Sequence, residues 1–158
     1  PVIYTGAGPG DPDLITVKGR TSLEQADLII YAGSLVPKAL LKWKQAHAEA
    51  VDSAPLNLDE IVTMIKTAHD AGKKVVRLHT GDPSLYGAIF EQMRELEKFD
   101  IPQQVIPGVT AAFAAAAAMA MAMMVMATRI SISVKPRCFV MFFGMFFFIV
   151  FLLYKQPT

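Results

Sequence analysis

Two apolar periodicities alternate along this chain. Apolar runs at Val2-Ile3-Tyr4 and Leu28-Ile29-Ile30-Tyr31, and the mixed run Val75-Val76-Arg77-Leu78-His79, read as strands, the first of them buried. Gln104-Val105-Ile106 is a shorter fourth run, and Val51 begins a weak strand or turn. Helical spacing fills the intervals. Thr16 is an N-cap residue for a helix over Val17–Ala26. Pro37 suits the first turn of a helix from Lys38 to about His47, with Ala39, Leu40 and Trp43 on one face, which makes Trp43 a core residue. Asn57 and Glu60 form a capping-box pair ahead of apolar positions 58, 61, 62 and 65. His69 falls in the last turn of that helix, where it reads as structural, and Gly72 closes it. A further helix runs from Ala88 to about Lys98, and the alanines from 111 to 118 start another. Strands alternating with helices predict an α/β fold, a parallel sheet with flanking helices.

Three loops leave the carboxyl ends of strands in that scheme: Gly6–Asp13, Thr80–Gly87 and Pro107–Ala111. Taken singly, Gly-Asp-Pro and Pro-Gly are ordinary turn dipeptides. Three at equivalent strand ends are expected to converge on one rim, where α/β sheets bind ligands. The first loop, Gly-Ala-Gly-Pro-Gly-Asp-Pro, is not a dinucleotide fingerprint. Its third glycine comes one position early, and Asp11 would repel a pyrophosphate. Asp11 also precedes Pro12 and is pushed away from helical angles. The strand ending Tyr31-Ala32-Gly33 lacks the terminal carboxylate a ribose requires.

The 158 residues suffice for one domain, or one and a half small ones. A net charge of +1 indicates no general attraction to nucleic acid. All fourteen acidic residues lie before residue 101, and the remainder carries four basic residues and no acid. The single cysteine, Cys138, excludes an internal disulfide, consistent with a reducing compartment such as the cytoplasm. Three scattered histidines and one cysteine make no metal-ligand spacing. The first apolar run is too short for the core of a secretory signal.

The loops and their flanks carry a resemblance. Gly-Ala-Gly-Pro-Gly-Asp-Pro-Asp-Leu-Ile-Thr-Val-Lys-Gly (6–19), Gly-Asp-Pro-Ser-Leu-Tyr-Gly-Ala-Ile (81–89) and Pro-Gly-Val-Thr-Ala-Ala-Phe-Ala-Ala-Ala (107–116) resemble the tetrapyrrole methyltransferases of corrin and sirohaem synthesis. Tyr-Ala-Gly-Ser-Leu-Val-Pro (31–37) and Ser-Ala-Pro-Leu-Asn-Leu-Asp-Glu-Ile (53–61) point to the precorrin-4 C11 branch, and Glu-Gln-Met-Arg (91–94) matches as well. The likeness covers about residues 1–118. It implies a homodimeric, two-domain enzyme without metal, using S-adenosylmethionine on a tetrapyrrole in cobalamin synthesis. The domains would be 1–108, carrying the glycine-rich loop, and 109–158, the start of a truncated or divergent second domain.

By motif position, the resemblance puts cofactor contacts on Pro9, Thr80, Gly81, Asp82, Leu85, Thr110 and Ala111. It turns the glycine loop, Gly8, Gly10 and Asp11, toward the substrate. Ala32 stands where related uroporphyrinogen enzymes have a carboxylate, so that acid–base role is not carried over. Asp82 reads either as a partner for the cofactor's polar end or as the turn cap ahead of Pro83. Arg77 and His79 are candidate partners for substrate carboxylates, as are Lys18 and Arg20. His79 also reads as a strand histidine, and Lys18 and Arg20 as a solvated helix face. No nucleophile is evident and none is needed, since methyl transfer from a sulfonium asks mainly for orientation.

Beyond Ala118 the family pattern stops. Seven of nine methionines follow it, and seven of ten phenylalanines follow Cys138. Arg129–Val134 alternates like a half-buried strand. Residues 138–154 are uncharged, at the lower limit for a membrane span. A degenerate or frame-shifted tail, a tail anchor and a buried half-domain are the readings. The alternative to an enzyme is a non-catalytic remnant or a membrane-tethered α/β binding module.

Overall fold

The computed structural model describes residues 1–86 and 89–133. Five parallel strands form its sheet: β1 (Val2–Gly6), β2 (Leu28–Tyr31), β3 (Glu49–Asp52), β4 (Val75–His79) and β5 (Gln103–Ile106). Their order is β3-β2-β4-β1-β5. Every residue of β2 and β4 is buried, as expected of strands covered on both faces. The helices are α1 (Val17–Glu24), α2 (Leu58–Asp70), α3 (Pro83–Tyr86), α4 (Ile89–Glu97) and α5 (Ala111–Ser133). The α/β expectation holds.

Alternation along the strands divides the core in two. Val2, Tyr4, Leu28, Ile30 and Val75 pack under Ile61, Val62 and Ile65 of α2 and Ile89 and Leu96 of α4. Ile29, Tyr31, Val76 and Leu78 pack on the other face with Leu23 of α1, Val36 and Leu40. Chain connections from β1 and β4 run toward opposite edges of the sheet. The carboxyl ends of those two neighbouring strands therefore mark the switch point, where loops diverge and a ligand can enter.

Local chemistry sets the helix ends. Thr16 Oγ1 accepts the Gly19 N–H at 3.1 Å and opens α1. At α2 the capping box is complete: Asn57 Oδ1 accepts from Glu60 N at 2.9 Å, and Glu60 Oε2 from Asn57 N at 2.8 Å. Gly72, at φ +74°, ends that helix in the left-handed conformation.

Three expected elements differ. Lys38–Trp43 is a 3₁₀ helix, not an α-helix reaching His47. Leu40 N bonds back to Pro37 O and Lys44 N to Leu41 O, the tighter pattern of a short connector, and no side chain caps its start. Only Leu40 of its expected apolar face is fully buried. Ala39 is exposed and Trp43 half-buried. The helix expected from Ala88 is preceded by a separate turn of helix, α3, which Pro83 opens. Residues 129–133 continue α5 where a strand was expected. An established helix adds residues more cheaply than a new strand forms.

The chain divides into two compact units, Pro1–Ala114 and Ala115–Thr158. Among the described residues, the second is the continuation of α5, with exposed Met119, Met121 and Met123. The candidate span 138–154 lies outside the described residues. No helix among the described residues is long and apolar enough to cross a membrane.

Replacing Asn57 with alanine removes one half of the capping box. We expect a loss of about 1 kcal/mol in urea denaturation, with Asn57→Asp retaining most of the stability.

Candidate functional site

Strands β4, β1 and β5 lie side by side, so the loops that follow them share one rim. Glycine lets their backbones touch. A Cβ placed on Gly6 would lie 2.4 Å from the Gly81 carbonyl oxygen and 2.6 Å from Gly108 Cα. One placed on Gly108 would lie 2.1 Å from that same oxygen. Each of the three loops thus contributes one glycine to a single contact with no room for a side chain. Gly8 and Gly81 add a two-residue antiparallel bridge, Gly81 N donating to Gly8 O at 2.9 Å and Gly8 N to Gly81 O at 3.3 Å. Both have positive φ, +79° and +60°, which glycine adopts at little cost.

Side chains complete the join. Asp82 Oδ1 accepts from Ser84 N at 2.8 Å and caps the start of α3. Its Oδ2 accepts from Gly108 N at 3.3 Å, tying the second loop to the third. Thr110 Oγ1 accepts from Phe113 N at 3.2 Å and opens α5. Thr16 reaches Pro107 O at 3.5 Å. Thr110 Cα and Ala111 N are the nearest atoms to a Cβ built on Gly81, at 3.9 and 3.7 Å.

The structure therefore brings Gly8, Pro9, Thr80, Gly81, Asp82, Thr110 and Ala111 to one rim. Leu85 stands on α3, more than half exposed. Gly10 is half-buried at the loop crest, with φ +122°. Asp11 is exposed, extended at φ −76° and ψ 121° as its place before Pro12 requires, and caps the turn Pro12–Leu14 through Asp13 N.

Arg77 and His79 lie below the rim, on the α2 and α4 face. The guanidinium of Arg77 is buried and donates to Ile30 O at 3.1 Å and Gln92 Oε1 at 3.3 Å. Burial lowers its pKa to about 10, so it stays charged at neutral pH. His79 is buried with its ring stacked on Tyr4 at 6.2 Å, and its Nε2 has no hydrogen-bond partner among the described residues. Burial first, and the Arg77 charge second, lower its pKa to about 3. Lys18 is exposed. Arg20 pairs with Glu24 at 2.7 Å and lies 3.7 Å over the Trp43 ring. The four residues expected as anion partners thus do not converge.

Gly6, Gly108 and Thr16 escaped the sequence reading as site residues, although the spacing of glycines after strands was their signal. Among the described residues, no three His, Cys, Asp or Glu side chains could hold a metal ion.

Residues 1–138 match the profile of the Tetrapyrrole (Corrin/Porphyrin) Methylases. The chain belongs to the tetrapyrrole methylase family. It is 58% identical over 114 residues to the cobalt-precorrin-4 C(11)-methyltransferase of Methanocaldococcus jannaschii, covering 72% of this chain and 44% of that protein. Among solved structures it is similar to a cobalamin biosynthetic enzyme, cobalt precorrin-4 methyltransferase, with a TM-score of 0.72 and 50% identity over 74% of this chain and 49% of that one. It is also similar to the uroporphyrin-III C-methyl transferase from Thermus thermophilus complexed with S-adenyl homocysteine, with a TM-score of 0.60 and 34% identity over 70% and 45% of the two chains. The chain spans about half the length of these relatives.

The tetrapyrrole methylase rim differs from a hollow elsewhere among the described residues. That hollow, about 620 Å³, runs along α2 past Glu49, Asp59, Glu60 and Lys73, and shares no residue with the rim. Its acidic, open lining is ill matched to a ligand bearing carboxylates.

Two expectations follow. Gly108→Ala must push backbone against backbone, whereas Gly72→Ala has open space and meets only an unfavourable φ. The first should cost at least about 2–3 kcal/mol and the second about 1 kcal/mol, read by urea denaturation. The second concerns His79. Its folded pKa lies below the unfolded value, so between the two the unfolded chain binds the extra proton and stability is lost as the pH is lowered. From pH 7.5 to pH 5 the loss should be about 2 kcal/mol, and a His79→Gln variant should lack it.

Proposed function

We propose that this chain forms the amino-terminal part of an S-adenosylmethionine-dependent methyltransferase acting at C-11 of precorrin-4 or its cobalt-bearing counterpart, in cobalamin biosynthesis. The observation that carries the reading is the three-loop glycine contact, built on a sequence 58% identical to a relative named for that reaction. Homodimerisation and a cytoplasmic location belong to the same reading and rest on the resemblance.

S-adenosylmethionine, when bound, supplies an electrophilic methyl group on a sulfonium, and the macrocycle carbon supplies the electron pair. The residues present fit such a ligand. The rim is made of backbone and small side chains at Pro9, Thr80, Gly81, Thr110 and Ala111, so a ligand can reach main-chain donors and acceptors. Asp82 keeps the second and third loops together while its carboxylate retains lone pairs for a polar group. Leu85 offers an exposed apolar surface beside it. The glycine loop, with Gly8, Gly10 and Asp11, would face the macrocycle.

Arg77 and His79 support the site from below. The Arg77 guanidinium is committed to Ile30 and Gln92, and the His79 ring is neutral and enclosed. Arg77's contribution to substrate binding would be a fixed positive potential beneath the rim instead of a direct ion pair, with uncharged His79 packed beside it. No side chain has to act as a nucleophile. The protein supplies alignment of two reactants, an effect worth up to roughly 7–11 kcal/mol where geometry is ideal.

Titration calorimetry with S-adenosylhomocysteine tests the first half of the reading. Saturable heat is expected from the wild-type chain, abolished in a folded Gly81→Ala variant, whose φ of +60° a side chain disfavours. Absence of heat from the wild-type chain, even at millimolar ligand, would favour a non-catalytic module. Mass spectrometry of a precorrin-4 incubation tests the second half: this chain, with its incomplete second domain, is expected to turn over little, and the product it does form must be heavier by one methylene, with the new methyl at C-11.

A further inference from the structure

The carboxyl edge of the sheet carries a fourth loop, residues 32–37, which the glycine contact does not use. Two segments singled out in the sequence, 31–37 and 53–61, meet here. Tyr31 of β2 and Asp52 of β3 are register partners. Ser53 donates both its N–H and its hydroxyl to Tyr31 O, at 2.8 and 3.1 Å. Asp52 Oδ1 accepts from Gly33 N and from Ala54 N, each at 2.9 Å. Those two amides hold the Asp52 carboxyl below its usual pKa, with Ala54 the larger cause.

The carboxylate also takes up volume. A Cβ placed on Gly33 would lie 2.0 Å from Asp52 Oδ2 and 2.3 Å from its Cγ. Gly33 is not among the glycines with positive φ. Its backbone conformation does not demand glycine; the Asp52 carboxylate occupies the space a side chain would need and would have to move to admit one. Beyond Gly33, Leu35 N and Val36 N close a turn on Ala32 O at 3.0 and 2.9 Å, and Val36 is buried. Pro37 follows, and its Cγ is the nearest atom to a Cβ built on Gly10, at 4.0 Å. Six residues on, Trp43 ends the 3₁₀ helix whose Lys42 Nζ lies 3.8 Å from Asp13 Oδ1. Loop 32–37 and the helix it opens thus abut the glycine loop at two points. Asp52 shares its strand face with Ala50, which packs on the α1 side of the sheet, as does the buried Val36.

We propose that Asp52 is a positioning residue of the methyl-transfer site: its carboxylate, seated in the side-chain space of Gly33, holds loop 32–37 as a wall against the glycine loop. This deepens the proposed function and rests on it. Asp52 acts through Gly33 and Pro37 and is assigned no contact with either reactant.

Hydrogen exchange read by mass spectrometry tests the coupling on the full chain without ligand. Asp52→Ala should speed exchange about fivefold, the scale of one lost net hydrogen bond, in peptides covering 32–37 and also 6–13. Peptides from α2 and α4 should be unchanged, which shows the fold intact. Asp52→Asn, whose amide oxygen can accept the same two N–H groups, should restore both loops. Should Asp52→Ala not fold, Asp52→Glu keeps the charge but displaces the carboxylate, and must loosen both loops. Faster exchange at 32–37 with no change at 6–13 would reduce Asp52 to a staple between strand ends and overturn the proposal, as would failure of Asn to rescue. Repeating the measurement with S-adenosylhomocysteine keeps the two readings apart. A wild-type chain that the ligand does not protect would count against the proposed function and leave the loop coupling standing.

Discussion

The structure turns on how closely three backbones approach one another. Gly6, Gly81 and Gly108 come from strands far apart in sequence, and the Gly81 carbonyl sits where any side chain on either partner would have to go. Such proximity joins the ends of β4, β1 and β5 without large side chains, leaving a rim of main-chain groups. It constrains the sheet order as well. The three loops can meet only because their strands are neighbours, and the connections from β1 and β4 depart in opposite directions. A bound ligand at this place would meet amides and carbonyls already fixed by the fold.

Beneath the rim the sheet holds a buried polar row. Tyr4 and Arg77 are register partners, and His79 is stacked on the Tyr4 ring. Arg77 has a carbonyl and an amide as partners in place of a carboxylate, so its charge is solvated by hydrogen bonds but not neutralised. A buried guanidinium of this kind is costly and raises the local potential. Burial keeps His79 neutral, with the Arg77 charge adding to the effect, and burial keeps the proton on Tyr4 against the opposing pull of that charge. In the proposed function, a cation locked below the floor would attract a carboxylate-bearing ligand without gripping it. Lysines on a mobile surface would be more easily screened.

The proposed chemistry asks little of any one side chain. Alignment of a methyl donor with an electron-rich carbon depends on loops that do not drift. The contacts found here, from the glycine triple to the Asp52 carboxylate against Gly33, serve that end. Three loops are pinned by backbone contact, two of them also by Asp82, while loop 32–37 is held from the neighbouring strand.

Much of this was legible in the residues because the deciding physics is local. Thr16 and Asn57 meet their capping partners three positions away, and both caps form as their sequence spacing requires. Unbroken apolar runs between helical stretches can be buried only in a parallel sheet, and glycines after strands mark turns that approach other backbone. Partnership across the fold was a different matter. Arg77 looked like a ligand for anions until its guanidinium was seen at Ile30 O, 47 residues away. Asp52 and Gly33 are 19 residues apart, and neither carries a local signal of the other. The 3₁₀ form of Lys38–Trp43 reflects the short path to β3, which no propensity encodes. Residues within a turn of one another interact whatever the rest of the chain does, so sequence alone determined strands, caps and glycine turns. Which strand lies beside which is a choice among competing burials of the whole chain, and only the tertiary structure decided whose backbone, guanidinium or carboxylate would meet.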